Sequence, residues 1–274
     1  MKKIVFIIVA LSCMLSLSAF DFMDISGDVG LGYMNHNMVT RYKRDSLKTN
    51  LAEGLAAALG ADGNLRLEDP KAVDSYNALA LGLNLKMSYV YANISVGLPF
   101  TQRPTGDDPL AKKLKELGAT NKLKNSVIVD GQIGVGINVL KSLPVNIFVG
   151  GGLGVNYIQT RRDLPDEFVK TIKDKHGNPV AKELNETRSV AMAGLGINVA
   201  LSYYFTKNIG VSFDIKDTVH FIPLSNKRYY KGKTIDGSNF TYTITKDDKQ
   251  DIKSLIKYSW ANNLTLRLAV AFKL

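Results

Sequence analysis

Cysteine is nearly absent from the chain. Cys13 is the only one among 274 residues, and it lies within the apolar N-terminal segment. A secreted protein without cysteine cannot be a disulfide scaffold, and it has no thiolate to bind a metal or to act as a nucleophile. We therefore expect hydrogen bonds and packing alone to hold the fold.

Long hydrophobic runs are also scarce, since the only one is the N-terminal MKKIVFIIVALSCMLSLSAF. Two lysines precede an apolar stretch that is too short for a stable membrane-spanning helix, and small residues follow it. The pattern predicts a secretory signal peptide over residues 1–19, cleaved after Ala19. Lipidation of Cys13 is the alternative, although the apolar run continues beyond this residue.

A third glycine is missing from a repeat that at first suggests nucleotide binding. The copies are GVGIN at 134–138, GLGVN at 152–156 and GLGIN at 194–198. A dinucleotide-binding loop requires G-x-G-x-x-G at a turn from a strand into a helix, whereas each copy continues into an alternating pattern. We therefore expect no nucleotide, and the sequence predicts no other cofactor.

Histidine is rare as well, and none of the three residues, His36, His176 and His220, belongs to a catalytic motif. Ser225 or Ser259 near His220 would supply a nucleophile beside a base, but a triad needs its members gathered in space. Solvated polar residues are the simpler interpretation. We expect no catalytic residue, no metal site and no enzymatic activity.

Apolar residues alternate with small or polar residues along most of the chain. In ALALGLNLKMSY, for example, Leu79, Leu81, Leu83 and Leu85 occupy every second position. A period of two is typical of a strand whose two faces meet different surroundings. Eight such strands are predicted, at about 24–36, 76–89, 90–101, 126–141, 145–159, 189–205, 208–222 and 257–274.

The connections between these strands alternate in length. Short segments such as KSLP and TKN alternate with four long ones at about 37–75, 101–125, 161–188 and 223–257. This layout is typical of an all-β, antiparallel up-and-down transmembrane barrel with short periplasmic turns and long extracellular loops, here over residues 20–274. A soluble eight-stranded barrel is the alternative, but it would place its apolar row inside. Within the last long connection, RYYKGKTIDGSNFTYTIT predicts a hairpin that turns at DGSN.

The aromatic residues favour the membrane barrel. Ten of them share the parity of the apolar row in their own strand and fall near its ends. Aromatic rings that flank an aliphatic band form the interfacial girdle of a membrane barrel. The predicted girdle consists of Tyr33, Phe100, Tyr157, Phe221, Tyr258 and Trp260 beside the long loops, and of Tyr89, Tyr203, Phe205 and Phe272 beside the short turns.

The opposite row carries charges, amides and small residues, which we expect to face the lumen. An eight-stranded lumen is only wide enough for side chains to fill it, and the glycines of the G-x-G repeat would make room there for long side chains. The predicted lumen cluster is Asp28, Lys86, Asp130, Gln132, Asp214, Lys216 and Arg267. Asp217 is the one charge in an outward apolar row, and it lies toward the long-loop end of its strand.

The C-terminal segment LTLRLAVAFKL, together with the signal peptide and the eight strands, resembles the small outer-membrane β-barrels of diderm bacteria, the OmpA, OmpX and OmpW kind. The resemblance implies an outer-membrane location, contact with lipid, and recognition of the last strand by the outer-membrane assembly machinery. The matching residues are Leu266, Leu268, Val270, Phe272 and Leu274. Family members most often end in phenylalanine, whereas this chain ends in Leu274.

The formal net charge is +10, and after removal of the signal peptide the excess lies in the four long connections. Basic surface loops predict attraction to anionic surface or host ligands, with matching to an anionic outer leaflet as the simpler alternative. Sparse aromatic residues in the second and third loops argue against nucleic acid. We expect a monomeric surface protein with a filled polar lumen and a structural, adhesive or partner-binding role. A narrow OmpW-like channel for small apolar molecules is the alternative, and an outer-membrane enzyme is a remote one.

Overall fold

The computed structural model describes most of the strands and little of the long connections between them. Its described residues are 25–42, 71–105, 125–142, 144–163, 181–235, 237–243 and 256–274, together with Asp166 and Val169. The expected signal peptide at 1–19 and His176 lie outside the described residues.

Eight strands close into an antiparallel barrel, and a ninth extends the sheet at one end. The strands are β1 (Ile25–Tyr42), β2 (Lys71–Met87), β3 (Val90–Thr105), β4 (Val127–Ser142), β5 (Val145–Asp163), β6 (Ala181–Tyr204), β7 (Ile209–Thr234), β8 (Asn239–Thr243) and β9 (Ile256–Lys273). Each strand from β1 to β7 pairs with the next, β9 pairs with both β7 and β1, and β8 pairs with β7. The predicted eight-stranded antiparallel barrel is confirmed.

The barrel is apolar outside and polar inside. On β5, Leu153 is 65% exposed whereas Asn156 is 1% exposed. On β9, Leu268 is 68% exposed whereas Arg267 is 5% exposed. This polarity is the reverse of a soluble barrel and is that of an outer-membrane barrel, so the chain is an outer-membrane protein. In the part of the chain described here, no helix is long and apolar enough to cross a membrane.

Three short connections follow β2, β4 and β6 and lie at the same end of the barrel, which we call the turn end. The opposite end is called the loop end. In the connection after β2, Ser88 has a φ of 53°, the left-handed conformation that a two-residue hairpin turn needs. The chain enters β1 and leaves β9 at this same turn end, where Ile25 accepts a backbone hydrogen bond from Leu274.

At the loop end, several strands continue beyond the ends expected from the sequence. β1 runs to Tyr42 instead of 36, β6 begins at Ala181 instead of 189, and β7 runs to Thr234 instead of 222. The sequence pattern ends where the apolar row ends, but backbone pairing continues through the polar residues that follow. The last part of β7 pairs with β8 across the segment DGSN, where Gly237 has a φ of 89°. The predicted hairpin is therefore confirmed, and it lengthens the sheet past the barrel.

Candidate functional site: a filled lumen and a basic sheet beyond it

One charged group in the lumen is centred on Arg267. Its Nε and Nη2 atoms lie 3.1 and 2.6 Å from Oδ2 of Asp214, and Nη2 also donates to Asp28. Lys86 Nζ lies 3.6 Å from the second oxygen of Asp28. Gly82 leaves the space for this arginine, because a Cβ at that position would lie 3.1 Å from Arg267 Cδ and closer still to Nη1.

A second charged group lies beside the first and is centred on Asp130. Lys216 Nζ lies 2.6 Å from Oδ2 of Asp130, and His220 Nε2 lies 3.1 Å from Oδ1. Lys216 also donates to Ser95 Oγ at 3.1 Å. Each buried charge therefore has an opposite charge or a hydrogen-bond acceptor within reach, which such groups require in a low-dielectric interior.

The remaining member of the predicted cluster, Gln132, is also buried, and its Oε1 accepts a hydrogen bond from Asn93 at 3.1 Å. All seven predicted lumen residues thus point inward. A cavity of about 10 Å³, a volume that holds about one water molecule, is lined by members of both charged groups. Its lining residues are Asn93, Ser95, Asn198, Asp214, Lys216, Thr265 and Arg267.

Aromatic side chains fill the lumen at the turn end. The rings of Tyr91 and Phe148 meet edge to face, with centroids 5.4 Å apart, and Lys86 Nζ lies 5.0 Å from the centre of the Phe148 ring. A Cβ on Gly150 would lie 2.6 Å from Tyr91 Cε1. Gly150 and Gly82 both lie outside the G-x-G repeat. Within the repeat, a Cβ on Gly136 would overlap Phe148 Cζ. The repeat therefore makes room for an aromatic ring, and not for the long charged side chains that the sequence led us to expect.

Two clusters of apolar side chains, which the sequence analysis did not anticipate, form a layer in the loop-end half of the lumen among buried polar groups such as His36 and Asn156. Met34 and Tyr76 pack with Ile128 and Ile158, and a second cluster contains Met38, Val190 and Met192. All of these side chains are buried. In the sequence, these residues occupy the same alternate positions as the inward polar residues of their strands. Those positions could have identified them as lumen residues.

A hydrogen-bonded ion pair closes the lumen beyond this apolar layer. Arg188 Nη1 on β6 lies 2.7 Å from Asp74 Oδ2 on β2, and Arg188 Nη2 donates to Thr40 Oγ1 on β1 at 3.3 Å. Gln102 on β3 donates to Asp74 Oδ1 at 3.2 Å. Four strands are therefore tied together across the mouth of the barrel.

Among the described residues, His220 contacts Asp130 and forms no hydrogen bond with Ser225 or Ser259. His36 and His220 are fully buried in the lumen. Ser259 donates to the carbonyl of Val39 and lies 3.3 Å from Thr40 Oγ1. Within the described residues, no group of histidine, cysteine, aspartate and glutamate side chains could hold a metal ion.

The predicted girdle residues lie on the outer surface, and nine of the ten are more than a third exposed. Phe272 is the exception, since it is only partly exposed. Of the C-terminal row, Leu268, Val270 and Leu274 are exposed and Leu266 is partly exposed. The structure shows an outward apolar row up to the last residue of the chain.

Beyond the loop end, the extension formed by β6, β7 and β8 carries a basic face. Lys227, Lys231 and Lys233 alternate along β7, which places them on the same side of the strand, and all three are exposed. Glu183, on the neighbouring strand, lies 3.7 Å from Lys233 Nζ. We call Lys227, Lys231 and Lys233 the lysine face.

Comparison with known proteins adds one family match and several similar barrels. The outer membrane protein OprG from Pseudomonas aeruginosa is 11% identical, with 92% of this chain and 96% of that chain covered and a TM-score of 0.47. A major outer membrane protein from Thermus thermophilus is 14% identical, with coverages of 89% and 99% and a TM-score of 0.39. Ail, the attachment invasion locus protein of Yersinia pestis, is 10% identical, with coverages of 91% and 100% and a TM-score of 0.28.

Similarity at this level carries no functional argument. No curated protein matches the sequence. The family model described as a domain of unknown function, DUF2715, matches residues 54–274, which include all the barrel strands after β1. The chain therefore belongs to the DUF2715 family.

Proposed function

We propose that this protein is a closed outer-membrane barrel that holds a basic sheet at the cell surface for binding an anionic polysaccharide. One observation carries the proposal: β7 continues from the barrel wall to Thr234 and presents the lysine face on a paired, rigid strand. Positive side chains on a fixed surface attract anionic partners at long range. The paired backbone also removes part of the ordering cost that a flexible loop would incur on binding.

The filled lumen supports the anchoring role. Aromatic rings, two charged groups, an apolar layer and the Arg188–Asp74 pair follow one another along the inside of the barrel. A lumen occupied in this way leaves no wide aqueous path for solutes among the described residues. The functional surface is therefore the part of the chain beyond the loop end, which we assign to the cell exterior.

We also propose the features of export and membrane placement that the sequence predicts. Residues 1–19 would be removed as a signal peptide, the aromatic residues would lie at the two membrane interfaces, and the assembly machinery would read the row that ends at Leu274. Exposed aromatic side chains at both ends of the barrel support the second of these proposals, because such rings prefer the headgroup region. The outward apolar row of β9 supports the third.

Binding of a sulfated polysaccharide such as heparin to the refolded full-length barrel tests the surface role. Replacement of Lys227 and Lys231 by glutamate should abolish binding, and binding of the unmodified protein should weaken with added salt, which screens exposed charges. Lys207→Glu is the matched control, because Lys207 is equally exposed but lies in the turn after β6 at the opposite end. Equal binding by all three proteins, or equal loss in the control, would contradict the proposal.

A narrow channel for small apolar molecules is a second candidate, and one region favours it. The loop-end lumen is lined by Met38, Met192 and Ile158, and nearby β3 pairs with β4 only as far as Gly97 in the described residues. Pro99 lies just beyond this point and has no N–H to donate. If the layer admits apolar molecules, a fluorescent apolar probe should bind to the barrel, and Met192→Trp should block its binding.

A further inference from the structure

A row of hydrogen-bonded polar side chains crosses the outside of the barrel near the loop end. Asn77 Nδ2 donates to Thr101 Oγ1 at 2.9 Å, and Asn35 Nδ2 donates to Asn77 Oδ1 at 2.8 Å. Asn37 Nδ2 then donates to Asn35 Oδ1 at 2.6 Å. The row therefore spans β3, β2 and β1 on the face that points away from the lumen.

The row continues onto the next two strands. Asn37 on β1 is paired directly with Asn262 on β9, and Asn262 Nδ2 donates to Asp217 Oδ1 on β7 at 2.6 Å. We call Thr101, Asn77, Asn35, Asn37, Asn262 and Asp217 the outer amide row. Each of its members is only partly exposed.

Asn262 and Asp217, at one end of the outer amide row, lie on the membrane side of the aromatic residues, whereas Asn35 and Thr101 lie on the loop side of Tyr33 and Phe100. Asn262 is two residues nearer to the middle of the barrel than Trp260, and Asp217 is four residues nearer than Phe221. Lipid chains cannot form hydrogen bonds, so polar side chains are unfavourable here, although less so than at the midplane. A carboxylate can accept about four hydrogen bonds. That of Asp217 accepts one from Asn262, at Oδ1.

The opposite wall also carries outward polar groups, but these lie nearer the loop end, where the Tyr157 hydroxyl donates to Gln159 Oε1 at 2.9 Å. The outward positions of β4 and β5, from Val127 to Val139 and from Val145 to Val155, hold only aliphatic residues and glycine. Those of β6 from Ala191 to Leu201 are likewise aliphatic. Within the aliphatic band, the outward polar groups among the described residues are thus Asp217 and Asn262, both on the side centred on β9. A uniform lipid surrounding gives no reason for this asymmetry.

We propose that a second copy of this chain packs against this wall, giving a two-fold symmetric dimer with β9 at its centre. Burial of apolar surface gives little driving force between proteins in lipid, whereas packing and hydrogen bonds between polar side chains do promote association. A second barrel supplies those hydrogen-bonding groups at the correct depth, because it carries the same row. This inference replaces the monomer expected from the sequence.

Symmetry makes the two rows complementary. A two-fold axis along the membrane normal places β1 of one copy opposite β7 of the other, and the same surface is used by both. The carboxylate of Asp217 then approaches the β1 wall that carries the Asn35 amide. One Nδ2 hydrogen of Asn35 is donated to Asn77, and the second can be donated to this carboxylate. Asn262, on the central strand, faces the same residue of the partner copy, and two carboxamides can both donate and accept.

Cysteine cross-linking in native membranes tests the dimer, with Cys13 first replaced by serine. Asn262→Cys should form a disulfide-linked dimer several-fold more efficiently than Val135→Cys, an exposed residue on the opposite wall. A disulfide can also trap two barrels that collide at random, so a second measurement is needed. In mild detergent, the mass of the cysteine-free protein should be that of two chains. Asn262→Leu should lower it to one chain while the barrel stays folded, as checked by heat-dependent migration on a gel.

Each other outcome would overturn the dimer. Equal cross-linking at both positions would indicate random collision. A single-chain mass with a lipid that co-purifies in the parent protein and is lost in Asn262→Leu would assign the row to a lipid headgroup instead. A cross-link from position 262 to a different protein would make the wall a heterologous interface.

Discussion

Arg267 on β9 and Asp214 on β7 are directly paired in the sheet, and two nitrogens of the guanidinium, Nε and Nη2, contact one carboxylate oxygen at 3.1 and 2.6 Å. The same Nη2 donates to Asp28 on β1. One arginine therefore links its own strand to both neighbours at the seam where the barrel closes. The stability of this seam therefore depends on the guanidinium charge of Arg267, which is shared between the carboxylates of Asp214 and Asp28.

Replacing Arg267 by methionine should destabilise the barrel strongly. The change keeps much of the side-chain volume but, among the described residues, leaves Asp214 without an ion-pair partner and Asp28 with Lys86 alone. Loss of one partner of a buried pair costs about 3–5 kcal/mol. Urea unfolding in lipid vesicles, followed by tryptophan fluorescence of Trp260, measures this loss. Asp28→Asn combined with Asp214→Asn in the same variant should restore much of it, and a single variant as stable as the parent would contradict the prediction.

The two lumen lysines should differ in importance. Lys216→Met removes the ammonium group that pairs with Asp130 and leaves His220 as its remaining ionisable partner, so we expect a loss of about 3–5 kcal/mol. Lys86→Met leaves Asp28 still bonded to Arg267 and removes a cation–π contact worth about 0.5–2 kcal/mol. The two substitutions are chemically identical, and each therefore serves as the control for the other in the same unfolding measurement. A larger loss for Lys86→Met would show that this ranking of the two groups is wrong.

The fold could be predicted from sequence because alternation with a period of two survives in every barrel strand. Backbone pairing beyond the apolar rows could not be seen in the same way, since the continuation of β7 to Thr234 depends on pairing with β6 and β8. Hydrophobic alternation marks contact with lipid, whereas the end of a strand is set by hydrogen bonds. The DGSN turn was predictable because its chemistry is local.

The lumen was only partly predictable for a related reason. Parity shows which side chains point inward, and it identified Arg267 and Asp28, which are 239 positions apart. It does not give the height of each side chain, which depends on the register of all eight strands. Met38 and Met192 were missed because an inward row was interpreted by its polar members alone. The outer amide row was missed since its residues are scattered over five strands.

Adding a methyl group at Gly82, which faces the lumen, should reduce stability more than adding one at an outward glycine. A Cβ on Gly82 would crowd Arg267 and Ser95, whereas one on Gly131 has its nearest neighbour at 3.7 Å. We expect Gly82→Ala to cost about 1–3 kcal/mol through overpacking, and Gly131→Ala to be neutral or to stabilise by about 0.4–1 kcal/mol through the unfolded chain. Unfolding of both variants provides the comparison. If the cost at Gly82 reflects its contact with the arginine, it should shrink in an Arg267→Met background.

Removal of the outermost closure alone should not open the barrel. Arg188→Ala breaks the pair with Asp74 and the contact with Thr40, but the apolar layer and both charged groups still occupy the lumen beneath. Planar-bilayer recordings should therefore show no discrete openings for either the parent protein or this variant. Combining Arg188→Ala with Met38→Ala, Arg267→Ala and Phe148→Ala removes a side chain at several heights, and conductance should appear in that protein if it still folds. Discrete openings in recordings of the parent protein would contradict the prediction, because they would show that the untruncated lumen conducts.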